Sequence, residues 1–257
     1  MRPYNCKGDL LMDGVQSAAT VMAIISIVIE AVFVPLFLRA SKDTKNGRSL
    51  FFKMVASTMF LLTALWAVNM YGGSVAYSKL IVKAIMFGWA GDLFLGMVWP
   101  WACALGGVIF FVGHLWYVFA FIRIREELAL GAPLFAGWEI AVIIALAVIG
   151  CGLILFFTFR SDLDKRLTVP VILYECMLCV MWVAAIAAAV GCFASGSKNG
   201  IVFGLLIITG STLFKLSDDI ILILTYGKVR NFPLRCVNIG TYYAAQTLLA
   251  LSIAAYV

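Results

Sequence analysis

An all-α bundle of eight membrane-spanning helices with short loops is the fold class this sequence predicts. Three observations predict it. Apolar residues fill 64% of the 257 positions, and charged residues only 12%. Soluble domains hold about 45–50% apolar and about 25% charged residues, and a chain of this size cannot bury so large an excess. The apolar residues also fall into long runs, and a span across the hydrocarbon core takes about 20 of them. Eight such spans use about 160 apolar residues, nearly all that the chain has. A single integral-membrane domain over 1–257 therefore leaves no room for a soluble one. A cytosolic enzyme, a disordered tail and a secreted disulfide scaffold are excluded.

The spans read as about 15–38, 50–70, 79–98, 101–122, 137–159, 168–193, 201–225 and 234–257. The first is longer than the apolar region of a signal peptide, and Asp9 and Asp13 stand where a positive flank would belong, so it reads as a retained helix. Polar breaks set the other limits: Arg39 to Arg48, Tyr71 to Ser78, Arg123 to Pro133, Arg160 to Arg166, Ser195 to Gly200 and Gly227 to Pro233. Only Val98 to Pro100 separates the third and fourth spans, which makes them a tight hairpin. Pro100 suits a first helical turn, where no backbone donor is lost.

The net charge of +6 reads as topology and lipid-headgroup contacts, not nucleic-acid binding. The loops after spans 1, 5 and 7 hold ten basic residues: Arg39, Lys42, Lys45, Arg48, Arg160, Lys165, Arg166, Lys228, Arg230 and Arg235. The other side holds five: Arg2, Lys7, Arg123, Arg125 and Lys198. Positive-inside bias then makes the first set cytoplasmic and leaves both termini outside. Short loops and no recognisable targeting tail favour a bacterial cell membrane over an endoplasmic reticulum. Of the seven cysteines, Cys103, Cys151, Cys176, Cys179 and Cys192 lie inside apolar runs, where cysteine acts as a small hydrophobe. Cys176 and Cys179 form a CxxC without a second pair, so neither zinc nor redox chemistry is indicated. Cys6 is the one placed to meet solvent.

An ionisable group at the centre of a span costs about 2.5–3.5 kcal/mol on insertion scales and usually marks a functional site. The candidates are Glu30, Lys53, Asp92, His114, Glu139, Glu175, Lys215, Asp218 and Asp219. With a 1.5 Å rise per residue, Asp92 lies roughly 9 Å and Asp218 roughly 10 Å from the inner surface. Lys53 is near the inner start of span 2, and Tyr174 and Glu175 are about two turns into span 6. Tyr242, Tyr243 and Gln246 fall at roughly 12–18 Å, and His114 at roughly 20 Å. Polar groups from six spans thus share one half of the membrane. His114 and Tyr117, three apart, share a face, as do Tyr242 and Gln246, four apart. Asp218 and Asp219 are about 100° apart on the helix, so only one can face a shared cavity. Lys215 can pair with either; one reading makes Lys215–Asp219 a device of the fold alone.

The single histidine excludes a histidine-rich zinc hydrolase of the alkaline-ceramidase type. No GxSxG elbow is present. Intramembrane aspartyl proteases use Tyr-Asp and Gly-x-Gly-Asp, whereas this chain has Trp89-Ala90-Gly91-Asp92 and Leu216-Ser217-Asp218, with no Pro-Ala-Leu after them. Carboxylate acid–base chemistry is what remains. From another class, a non-enzymatic lipid or metabolite transporter also places polar groups in the membrane, though no paired internal repeat is visible.

The order and placement of several short motifs resemble the lysoplasmalogenase, or YhhN-like, family from Lys53 to the end. These are Gly91-Asp92-Leu93; Gly113-His114-Leu115-Trp116-Tyr117 with Ala120-Phe121; Pro170 and Tyr174; Leu213-Phe214-x-Leu216-Ser217-Asp218; and Thr241-Tyr242-Tyr243-Ala244-Ala245-Gln246. Met54 follows Lys53 where many members have proline, and Asp219 stands where a small or apolar residue is usual. The first 48 residues share only their hydrophobicity with the family. The resemblance implies an eight-helix hydrolase of membrane lipids without a cofactor. It would cleave the vinyl ether of a lysoplasmalogen, a lysophospholipid, into a fatty aldehyde and glycerophosphoethanolamine or glycerophosphocholine.

Vinyl ethers hydrolyse through protonation of the β-carbon, an oxocarbenium-like cation and addition of water. Two carboxyl groups can serve such a state, as they do in glycosidases. Asp92 and Asp218 are the expected pair, with the acid and base roles open between them. His114 would relay a proton or orient one of them. Tyr117, Tyr174, Ser217, Tyr242, Tyr243 and Gln246 would line the substrate site. Lys53, near the headgroup level, would meet the phosphate.

Overall fold

The computed structural model describes residues 6–42, 46–70, 75–127, 137–160, 168–194, 198–226 and 231–256. Arg2, Lys45, Lys165, Arg166, Lys228 and Arg230, which carry part of the charge asymmetry, lie outside them, as do the side chains of Cys6, Lys7, Asp9, Asp13, Arg160 and Lys198. The described residues form eight α-helices and no strand: α1 Cys6–Ala40, α2 Gly47–Met70, α3 Ala76–Gly96, α4 Pro100–Glu127, α5 Gly137–Arg160, α6 Thr168–Ala194, α7 Lys198–Tyr226 and α8 Phe232–Ala255.

Several helix ends lie a few residues outside the apolar runs, and the chemistry of some of them explains it. Asn46 and Ser49 cap α2 reciprocally: Ser49 N donates to Asn46 Oδ1 at 2.8 Å, and Asn46 N donates to Ser49 Oγ at 3.0 Å. This arrangement satisfies donors that a helix start otherwise leaves open. Asn231 caps α8 by accepting from Leu234 N at 2.9 Å, and proline sits in the first turn. At the far end of α4, Arg123 donates to Glu126 and Glu127, three and four residues on. Between α3 and α4 the chain turns at Met97 in an extended conformation, and Pro100 opens α4.

Five helices are long and apolar enough to cross a membrane: α1 over Gln16–Ala40, α2, α4, α6, and α7 over Asn199–Thr225. Among the described residues, α5 contributes a shorter apolar helix over Gly137–Leu153. α3 carries three charged residues, Lys79, Lys83 and Asp92, along its length, and α8 carries Arg235, Asn238 and Gln246. The chain is inside out relative to a soluble fold. On α1, Val21, Ile24, Val28 and Val32 are exposed while Ser26 and Glu30 are buried. On α5, Ile144, Val148 and Ile149 are exposed. This is a multi-pass membrane protein, whose lipid-facing surface is apolar and whose interior holds the polar groups.

The helices pack as neighbouring hairpins, α1 on α2, α3 on α4 and α7 on α8, and α6 joins α4, α5 and α7. α2, α3 and α8 also meet, which brings Phe60, Ile81, Ile85, Tyr242, Tyr243 and Leu249 into one core. Glycine sets the closest approach of α3 and α4. A Cβ on Gly106 would lie 2.9 Å from Leu95 Cγ and 3.1 Å from the Leu95 backbone nitrogen, whereas a Cβ on Gly107 would meet nothing within 4 Å.

Gly106→Ala therefore costs about 1–3 kcal/mol by overpacking against an immovable backbone, and its thermal midpoint in detergent falls. Gly107→Ala, one residue along, leaves the midpoint unchanged or raises it, since alanine is the better helix former by up to about 1 kcal/mol.

Candidate functional site

Six helices converge on two buried carboxyl groups. Asp92, near the end of α3, is 2% exposed and accepts from three donors. Lys53 Nζ of α2 stands 2.9 Å from Oδ1. Ser57 Oγ donates to Oδ2 at 2.6 Å, and Tyr242 OH of α8 donates to the same oxygen at 2.9 Å. Lys53 and Ser57 are one turn apart on α2, so a single helix face delivers both.

Two longer chains of hydrogen bonds end at the same carboxylate. Because Ser57 spends its proton on Asp92, it is the acceptor from Tyr243 OH at 3.0 Å. Tyr243 OH also lies 3.3 Å from the carbonyl of Lys53. On the other side, Tyr117 OH donates to Gln246 Oε1 at 2.7 Å, and Gln246 Nε2 donates to Tyr242 OH at 3.3 Å. Gly88 leaves room for that amide, since a Cβ there would lie 2.6 Å from Gln246 Nε2. The Ser57, Tyr242, Gln246 and Tyr117 donors form a relay directed at Asp92, as an acceptor carboxylate requires.

Asp218 of α7 is different. Tyr174 OH of α6 donates to Oδ2 at 2.5 Å. His114 Nε2 of α4 lies 3.6 Å from the same oxygen, beyond hydrogen-bond length, and no partner completes that nitrogen. His114 Nδ1 is 2.7 Å from the carbonyl of Phe110. A carbonyl only accepts, so Nδ1 carries the hydrogen and Nε2 is the nitrogen that gains or loses a proton. The exchangeable proton of the ring therefore faces Asp218.

Aromatic rings connect the two halves. The Phe214 ring stands 4.8 Å from that of His114 and 5.6 Å from that of Tyr242, and Phe110 is 5.9 Å from Tyr242. Ser217 takes no part in either carboxyl's contacts. Its Oγ donates to the Asn238 carbonyl at 3.0 Å, and Asn238 Nδ2 returns a bond to the Ser217 carbonyl at 2.6 Å. This clamp pins α7 to α8 beside Asp218.

Lys53, expected near the headgroups, is buried and held by Asp92 instead. Asp219 points away from Asp218, and both its oxygens bind Lys215, at 2.8 and 3.1 Å. Lys215 also reaches Glu175 Oε1 at 3.0 Å, so this ion group ties α6 to α7. Glu139 pairs with Arg125 at 2.8 Å, and Glu30 accepts from Thr247 at 2.8 Å. Ser57, Phe110 and Asn238 were not singled out by the sequence, and Phe214 stood out only as part of a family motif. The signal for three of them was helical spacing: each stands four residues from Lys53, His114 or Asp218. Among the described residues, no group of three His, Cys, Asp or Glu gathers as a metal site.

Comparison with known proteins identifies the family. The YhhN family matches residues 49–253, which include every side chain of the two carboxyl environments. The chain is 31% identical over 193 residues to "Lysoplasmalogenase TMEM86B" of Rattus norvegicus, covering 75% of this chain and 67% of that one. It is 30% identical over 194 residues to the Mus musculus protein of the same name, covering 75% and 70%. No solved structure matches it. With the family signature running from the cap of α2 almost to the end of α8, the chain belongs to the YhhN family.

Proposed function

We propose that this protein hydrolyses the vinyl ether bond of lysoplasmalogens within the membrane, releasing a fatty aldehyde and a glycerophospho-alcohol. All eight helices cross the bilayer in this reading, with the basic loops after spans 1, 5 and 7 in the cytoplasm. The observation that carries the chemistry is the asymmetry of the two acids. Asp92 is surrounded by three donors, while Asp218 has one donor and a histidine whose titrating nitrogen faces it. The similarity to proteins named lysoplasmalogenase supplies the substrate class.

The roles left open by the sequence divide on that asymmetry. Asp218 is the proton-bearing partner and delivers a proton to the β-carbon of the vinyl ether. His114 holds or resupplies it through Nε2. Protonation leaves a cation shared by the α-carbon and the ether oxygen, and the fixed negative charge of Asp92 stabilises it. Water adds to the α-carbon and loses a proton to the base that the first step created. The hemiacetal then collapses, its hydroxyl proton passing to the departing glycerol oxygen. One water is consumed, and each carboxyl ends as it began. Lys53 in this scheme serves Asp92 rather than the headgroup.

Aldehyde release from a lysoplasmalogen by the purified protein is the direct test, with an ester lysophospholipid as control. Asp218→Asn is expected to lower turnover by about 10²–10⁴-fold, the range for losing a general acid, and Asp92→Asn by a comparable factor. Folded variants that keep more than half of the wild-type turnover would refute the assignment. Lys53→Met leaves the Asp92 charge buried without its cation and is expected to cost about 3–5 kcal/mol of stability. The double variant Lys53→Met with Asp92→Asn should recover much of that loss in chemical denaturation.

A further inference from the structure

The seam between α3 and α4 carries a cationic feature on its lipid-facing side that the carboxyl site does not use. Lys79 and Lys83 are both exposed and stand one turn apart on α3. Lys83 is seven residues from the start of α3 at Ala76, about 10 Å along the axis. Asp92 is nine residues further, about 14 Å beyond Lys83, so the two features occupy different depths.

The register of the two helices brings more groups to the seam. Gly91 packs against Phe110, and Gly113 against Phe87 and Ala84, which sets Lys83 level with Trp116. Lys83 Nζ lies over the Trp116 ring, 4.6 Å from its centroid. Seven residues on, the same face of α4 carries Arg123, whose side chain is 46% exposed and bound to Glu126 and Glu127. Met86 and Phe119, both about half exposed, flank the lysines on the apolar side. No carboxylate pairs with Lys79 or Lys83 among the described residues. The Trp116 indole N–H is buried and has no acceptor.

A lysine on the lipid face of a span is expensive unless its charge is met. A cation–π contact alone is worth about 0.5–2 kcal/mol, less than that cost. Here two exposed ammonium groups stand one turn apart with only the Trp116 ring against one of them. The missing chemistry is an oxygen-rich anion that sits at the membrane interface and has an apolar body to lie on Met86 and Phe119.

We propose that this seam binds the phosphate of an anionic phospholipid in the leaflet opposite the Lys53–Asp92 pair. The lysines meet the phosphate, the Trp116 ring backs Lys83, and the acyl chains follow α3 towards the midplane. Net negative charge distinguishes this lipid from a zwitterionic one, whose own cation would face the lysines. The site is separate from the proposed hydrolysis, and its failure would leave that reading intact.

Native mass spectrometry of the full chain, titrated with phosphatidylglycerol or phosphatidylcholine of the same acyl chains, tests it. Each lysine near the surface is worth about a factor of five in binding an anionic lipid. Phosphatidylglycerol is therefore expected to bind about 30-fold more tightly than phosphatidylcholine, and Lys79→Gln with Lys83→Gln should abolish the preference. Arg39→Gln, at the other end of the bundle, should leave it in place. Should the double variant not fold, Lys79→Gln alone is expected to give about a fivefold loss. A preference that survives the lysine substitutions, or one that Arg39→Gln removes equally well, overturns the site in favour of diffuse surface charge.

Discussion

A buried carboxylate in a lipid-embedded protein must be surrounded by donors, and much of this structure is arranged around meeting that demand at Asp92. Water cannot complete it, and leaving it unpaired would cost several kcal/mol. Lys53, Ser57 and Tyr242 supply the direct donors. Tyr243, Gln246 and Tyr117 orient those donors in turn. The network draws on α2, α3, α4 and α8, so the packing of four helices and the charge state of one acid depend on each other. Polar groups satisfied in this way hold a core to one arrangement.

Close helix packing is what allows these bonds to form at all. In lipid there is no hydrophobic drive to press helices together, so small residues and polar contacts do it. Gly88, Gly91, Gly106 and Gly113 let α3 settle against α4 and α8. Reciprocal clamps hold the rest. Asn238 and Ser217 lock α7 to α8, and Arg235 binds Ser41 at the carbonyl and the hydroxyl, tying α8 to the end of α1. Lys215 bridges Glu175 and Asp219 on the neighbouring face of α7. The second acid is therefore held by a rigid frame rather than by a dense shell of donors of its own. Asp218 keeps a histidine at 3.6 Å with an uncommitted nitrogen.

The sequence by itself determined the class of the molecule and pointed to the cast of the candidate site. A composition with 64% apolar residues has one physical solvent, and ionisable residues within apolar runs are costly enough to mark themselves. Lys53, Asp92, His114 and Asp218 were legible on that ground, and Tyr174, Tyr242 and Gln246 through depth, helical spacing and the family motifs. Helix limits were less so, because apolar runs do not reveal caps: Asn46, Asn231 and the Arg123–Glu127 group extend helices into polar sequence. Only the tertiary structure decided how the cast is paired. Helical periodicity states which residues share a face, as with Lys53 and Ser57, but not which neighbour that face meets. Lys53 looked like a headgroup contact from depth alone and proved to be the counter-ion of Asp92, because α2 and α3 face each other at that level. Asp218 and Asp219 are adjacent and chemically identical in sequence. The rotation of α7 against α4 and α6 gave one of them His114 and Tyr174, and left the other to Lys215.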